Sequence, residues 1–153
     1  MRLLLEPEPV DDLDTLEAAA SAAHRADLDG LLLRQANSLP APLVAAAGLA
    51  GRAAPRDLLL AIEVELGSRH PFEVAEEVAV VDIACGGRLI LVARPAPGAE
   101  DDYAEALDLV RTALTPRPFQ FEGRRWRVPA NLPERPGVDE VEVPPHQFGE
   151  RVL

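Results

Sequence analysis

Cysteine is almost missing from this chain. Cys85 is the one thiol in 153 residues, which excludes an intrachain disulfide and suits a reducing compartment. Histidine is nearly as scarce: His24, His70 and His146 are the three present, and no CxxC or HExxH spacing occurs. A metal site therefore has no support. Positive charge is short as well. Fifteen Lys and Arg against 26 Asp and Glu leave a net charge of −11, which argues against a nucleic-acid partner and against anionic membrane surfaces. No apolar run approaches a membrane span, and the start MRLLLEPEPVDD holds only three leucines before acids and prolines, too few for a signal peptide's apolar region. A soluble, cytoplasmic protein with no membrane partner is expected. With 48% hydrophobic residues there is enough chain for one domain with a real core.

The stretch from Glu65 to Ala93, ELGSRHPFEVAEEVAVVDIACGGRLILVA, reads as turn, helix and buried strand. Pro71 suits a first helical turn, where a missing N–H costs nothing, and Glu73 sets a carboxylate against the positive helix start. Val74, Val78 and Val81, with Ala75 and Ala79, recur at helical spacing and give one apolar face. Gly86 and Gly87 supply residues free to take positive φ past the helix end. Leu89 to Ala93 is a continuous apolar run, which predicts a parallel strand covered on both faces.

The rest of the chain repeats this alternation. Leu3 to Leu5 is a short strand stopped by Pro7 and Pro9. Asp11 or Asp12 caps a helix whose inner face carries Leu13, Leu16, Ala20 and Ala23. Gly30 and Leu31 to Leu33 give a second strand, Ser38 to Pro42 a turn, and Leu43 to Ala50 an Ala-rich second helix. Leu58 to Leu66 alternates as a third strand, with Leu60, Ile62, Val64 and Leu66 on one face and Ala61, Glu63 and Glu65 on the other. The order β-α-β-α-β-α-β with right-handed crossovers makes a parallel sheet. Asp101 to Leu114 is a further amphipathic helix with Tyr103, Leu107, Val110 and Leu114 aligned. Phe119 to Val128 is a hairpin turning near Glu122-Gly123, and its aromatics Phe119, Phe121 and Trp126 suit a cover for the sheet end. The domain is expected over 1–130. Residues 131–153, with Pro133, Pro136, Pro144 and Pro145 among charges, read as a loosely ordered tail in which Val138 to Val143 is an edge strand.

An apolar strand, then Arg69-His70-Pro71, a helix ending D-x-x-x-G-G-R (Asp82 to Arg88) and another apolar strand resembles the luciferase-like flavin-dependent monooxygenases. The phrases PLVAAAGLAGRA (Pro42 to Ala53) and YAEALDLVRTAL…FQFEGRRWRVP (Tyr103 to Pro129) fall in that family's order. The resemblance implies a (β/α)₈ barrel of about 250 residues or more, of which this chain is similar to the first half. The expected fold class is thus α/β: a half barrel of four parallel strands with helices, then a helix, a hairpin and an irregular tail.

What the resemblance implies for a site falls on few residues. Arg94, just past the fourth strand, matches the region where some relatives hold the flavin phosphate, beside the plainer reading of a solvated arginine. Glu63 stands where relatives keep a small residue beneath the flavin ring, so a carboxylate there crowds the ring and buries charge. As residues alone, Glu63 and Glu65 also read as paired carboxylates for acid/base work, or as a wet or partner-facing surface. His70 opens a helix and reads as structural. Cys85, where many relatives carry serine, reads as a packed, inert thiol.

Three departures from the family's pattern point one way. The fourth strand ends Val92-Ala-Arg-Pro-Ala-Pro97 without the family's glycines, the stretch Arg34 to Pro40 lacks a catalytic histidine, and strands five to eight are not in the chain. Three functions follow from this. The first is a non-catalytic or accessory subunit acting as an oligomer. The second is a flavin-dependent oxidoreductase using FMN or a deazaflavin, its site completed across an oligomer. The third is a small-ligand binding protein using the open strand face. The resemblance implies a homodimer through helices two (Ala45, Ala46, Ala47, Ala50) and three (Val74, Ala75, Val78, Ala79), or a heterodimer with a full-length luciferase-like protein.

Overall fold

In the computed structural model, residues 1–8, 12–34, 42–52, 55 and 57–129 are described. The chain runs β1 (Leu4–Leu5), α1 (Leu13–Arg25), β2 (Gly30–Leu33), α2 (Pro42–Ala50), β3 (Leu59–Leu66), α3 (Pro71–Ala84), β4 (Leu89–Pro95) and α4 (Glu100–Ala113). A hairpin of β5 (Phe121–Glu122) and β6 (Arg127–Val128) follows. The first four strands form one parallel sheet in the order β1-β2-β3-β4, as the alternation of apolar runs and amphipathic segments predicts. The tail 131–153, its Val138–Val143 strand and His146 lie outside the described residues.

Residues 1–64 and 81–92 make one compact unit. Asp12 caps α1 by accepting the Thr15 N–H at 2.7 Å, satisfying a donor the first turn leaves orphaned. Leu16, Ala20 and Ala23 are buried on that helix, the face its spacing gives. Gly30 pairs with Leu59, and a Cβ at Gly30 would fall on the Leu59 carbonyl. No side chain fits there, so β2 and β3 approach as closely as they do because residue 30 is glycine. Ile62, Leu31 and Leu49 complete the core, each at most 1% exposed.

The turn between α3 and β4 is held from three directions. Gly86 and Gly87 take φ of 66° and 77°, the left-handed values expected of them after a helix. The buried Asp82 carboxylate accepts the Leu89 N–H at 3.2 Å. Arg88 donates to the backbone carbonyls of Cys85 (2.7 Å), Leu58 (3.0 Å) and Pro55 (3.2 Å), tying this turn to the start of β3. A space of about 10 Å³, near one water molecule, lies beside it, lined by Ala20, Leu49, Pro55, Leu58 and Arg88.

Residues 65–80 and 93–129 fall in a second compact unit. His70 precedes α3, and its Nδ1 accepts the Phe72 N–H at 3.2 Å, a structural helix-start role. Arg69 bonds Glu77 at 2.5 Å and 3.0 Å, and that hydrogen bond holds the Glu77 carboxyl below its usual range. The hairpin turns where expected, with the Gly123 N–H donating to the Trp126 carbonyl at 2.9 Å. Glu105 of α4 fastens it by accepting the Arg125 and Trp126 N–H groups at 2.8 Å and 3.0 Å. Phe119 and Trp126 are buried, and Phe119 packs on Phe72 with ring centroids 6.2 Å apart.

Three expectations change. Strand β4 is not covered on both faces: Val92 is 38% exposed, and β4 is an edge of the sheet, so an apolar run here marks an edge as well as a core strand. Helix α4 buries Ala106, Leu109, Val110 and Ala113, whereas Tyr103 and Leu107 are only half-buried. Tyr103 and Leu107 are the larger side chains, but the small Ala106 and Ala113 are what allow close packing. Finally, Ala45, Ala46, Val74, Ala75, Val78 and Ala79 are buried within the chain itself. The apolar side chains α2 and α3 leave exposed are Val44, Val80 and Ile83.

Candidate functional site

In a parallel sheet the carboxyl ends of the strands are where α/β proteins place their chemistry. Here those ends are charged. In the first unit, Arg34, one residue past β2, sets its Nε 3.2 Å from Glu6, which follows β1, and 4.0 Å from Glu63 on β3. The Glu63 side chain is 13% exposed. It therefore belongs to an ionic group of two carboxylates and one guanidinium, which relieves the burial cost its position raises.

In the second unit, Arg94 near the end of β4 bonds Glu65 of β3 at 2.6 Å. Arg94 thus holds an ion pair while 42% of its side chain stays exposed to solvent. The pair forms because neighbouring parallel strands bring residues 29 positions apart side by side. Close by, the Tyr103 hydroxyl donates to the Ala93 carbonyl at 3.0 Å, fixing the end of β4 against α4.

Of the two candidate residues, Glu63 falls in the first group and Arg94 in the second. Glu6 and Arg34 were not singled out in the sequence. Their signal was available: each is the first charge after an apolar run, where a strand of this topology ends.

The remaining candidates lie away from the strand ends or are packed in the core. Cys85 is fully buried, its Sγ 3.8 Å from the Ala46 carbonyl, and burial pushes the thiol up to about 11. His24 pairs with Asp57 at 3.3 Å on the surface. No group of His, Cys, Asp and Glu among the described residues is arranged to hold a metal ion. No helix among them is long and apolar enough to cross a membrane.

A flavin phosphate is a test these ends can be put to. A phosphate needs guanidinium or ammonium charge, or backbone N–H groups, left over for it. One group has two carboxylates to one arginine and the other a matched pair, so among the described residues the charge here does not fit a phosphate.

The fold is similar to part of the barrel of several luciferase-like flavin monooxygenases of the TIM-barrel class. Among solved structures it is similar to the oxygenating constituent of 3,6-diketocamphane monooxygenase of Pseudomonas putida, a type II Baeyer-Villiger monooxygenase in complex with FMN. That match has a TM-score of 0.63 at 19% identity, covering 83% of this chain and 42% of that one. The EDTA monooxygenase of Chelativorans sp. BNC1 matches with a TM-score of 0.66 at 19% identity, over 89% of this chain and 47% of the other. Riboflavin lyase, solved with modified FMN and riboflavin, gives 0.65 at 17% identity, over 83% and 46%. This chain thus spans less than half the length of the structures it matches. No family model and no curated protein matches the sequence.

Proposed function

We propose that the chain is a non-catalytic or accessory subunit of luciferase-like fold, acting as part of an oligomer. The observation that carries this is the ion pair of Arg94 with Glu65 at 2.6 Å. The cation best placed to receive a cofactor phosphate is held by a carboxylate of its own chain. Glu63, with Arg34, adds a second ionic group at the strand ends, where a flavin ring wants apolar surface and space. The partner is a second copy or a full-length luciferase-like protein, as a chain spanning less than half of the matched barrels suggests.

The test is the absorbance of the purified protein together with its mass in solution. A colourless preparation that takes up no FMN on titration and runs above the monomer mass is the expected result. Near-stoichiometric FMN surviving gel filtration overturns the non-catalytic reading. It favours instead a flavin (FMN or deazaflavin) site completed across subunits, which the FMN held by two of the similar structures supports.

A further inference from the structure

Along a β-strand, successive residues aim their N–H and C=O groups at opposite edges. In β4 the parity is set at both ends. The Arg88 carbonyl accepts the Leu60 N–H at 3.0 Å, and the Ala96 N–H donates to the Leu66 carbonyl at 2.8 Å. Even-numbered residues therefore face β3, and Leu89, Leu91, Ala93 and Pro95 face outward.

That outer edge is blunted, but not throughout. The Leu89 N–H is taken by Asp82, the Ala93 carbonyl by Tyr103, and Pro95 has no N–H to offer. Left open among the described residues are the Leu89 carbonyl, both groups of Leu91 and the Ala93 N–H. This set is symmetric about Leu91. In an antiparallel pairing centred there, residue 91 exchanges both bonds with its own copy, and 89 lies opposite 93. The open Ala93 N–H then meets the second copy's open Leu89 carbonyl. The Leu89 N–H and the Ala93 carbonyl, which this register also sets opposite each other, are engaged by Asp82 and Tyr103, so four bonds join the two strands.

We infer that the outer edge of β4 is a pairing surface for a second copy of this chain, joined across a two-fold axis at Leu91. The inference rests on the oligomer proposed above and names its interface. Self-pairing follows because the open donors and acceptors complement themselves, which is what an isologous contact requires. The segment Leu89–Ala93 carries no charge, so two chains of net charge −11 meet there without opposing carboxylates. The same register sets Arg94 opposite the second copy's Arg88, and both are already engaged, by Glu65 and by three carbonyls. The other end of the sheet offers no equivalent, because β1 is two residues long.

The experiment is oxidative cross-linking of the Leu91→Cys and Val80→Cys variants. Hydrogen-bonded antiparallel partners have Cα atoms about 5.5 Å apart, inside the disulfide range of roughly 4.4–6.8 Å, and the native Cys85 is buried. Leu91→Cys is expected to form a covalent dimer and Val80→Cys to stay monomeric on a non-reducing gel. A second variant, Leu91→Pro, removes the outward N–H and fixes φ there while taking away no N–H that faces β3, and is expected to halve the mass seen by light scattering with helical circular dichroism retained. A wild-type dimer in which Val80→Cys cross-links and Leu91→Cys does not overturns the edge contact while leaving the oligomer intact. Monomer mass for the wild-type chain at every concentration overturns both.

Discussion

Arg94 and Glu65 meet at 2.6 Å from adjacent strands, with 42% and 23% of their side chains exposed. Partial burial makes the pair asymmetric in its consequences. Removing Arg94 leaves the less exposed carboxylate behind, whereas removing both partners leaves no stranded charge. Arg94→Met is expected to cost about 1 kcal/mol, and the double variant Arg94→Met/Glu65→Gln less than the sum of the single changes, with a coupling of roughly 0.5–1 kcal/mol. Urea unfolding of the wild type, both single variants and the double variant measures it, and strict additivity would mean the pair contributes nothing.

Arg88 is expected to matter more. Its guanidinium satisfies the carbonyls of Cys85, Pro55 and Leu58, groups a methionine cannot serve. Arg88→Met is predicted to lose roughly 2–4 kcal/mol, a drop of about 5–12 °C in Tm for a domain of this size. Differential scanning calorimetry reads the change directly, and a shift under about 2 °C contradicts the assignment.

Cys85 gives a prediction in pH. Burial favours its neutral thiol, raising it from 9.0 to about 11 in the folded chain. The folded state therefore holds the proton more tightly, and this contribution to stability is complete below about pH 9 and lost between 9 and 11 as the unfolded chain ionises first. Chemical unfolding followed from pH 8 to 11 should show that decline, and Cys85→Ser should flatten it. Iodoacetamide at pH 8 should label the thiol only after denaturant is added.

Val78 is 5% exposed in the middle of α3. Val78→Asp buries a carboxylate with no partner and is expected to cost several kcal/mol, on the order of the chain's whole stability. Insoluble or non-cooperatively melting protein is the predicted outcome, and a soluble variant with a normal melt contradicts the packing of that helix.

The order of strands and helices was legible because each apolar run is bounded by residues with one local job. Pro71 opens α3, Gly86 and Gly87 close it, and Asp12 caps α1. The buried face of α4 was not legible, since a helix that packs through Ala106 and Ala113 hides its contact behind larger neighbours such as Tyr103 and Leu107. The charged groups were half legible. Glu63 and Arg94 stood out as charges at strand ends, but their partners Arg34 and Glu65 are set by which strands lie side by side and in what register. No local spacing encodes that. Nor does a run such as Leu89 to Val92 say whether its far edge meets another strand or water.

The shortness of β1 bears on how this protein keeps in storage. A sheet lengthens into fibres only when each added strand leaves a fresh template behind it. Leu4 and Leu5 hold the far margin with pairings to Gly30 and Leu31 alone, and a two-residue margin is too brief to recruit another chain. Growth from that side stops before it starts, so concentrated solutions should remain clear and free of thioflavin-binding material.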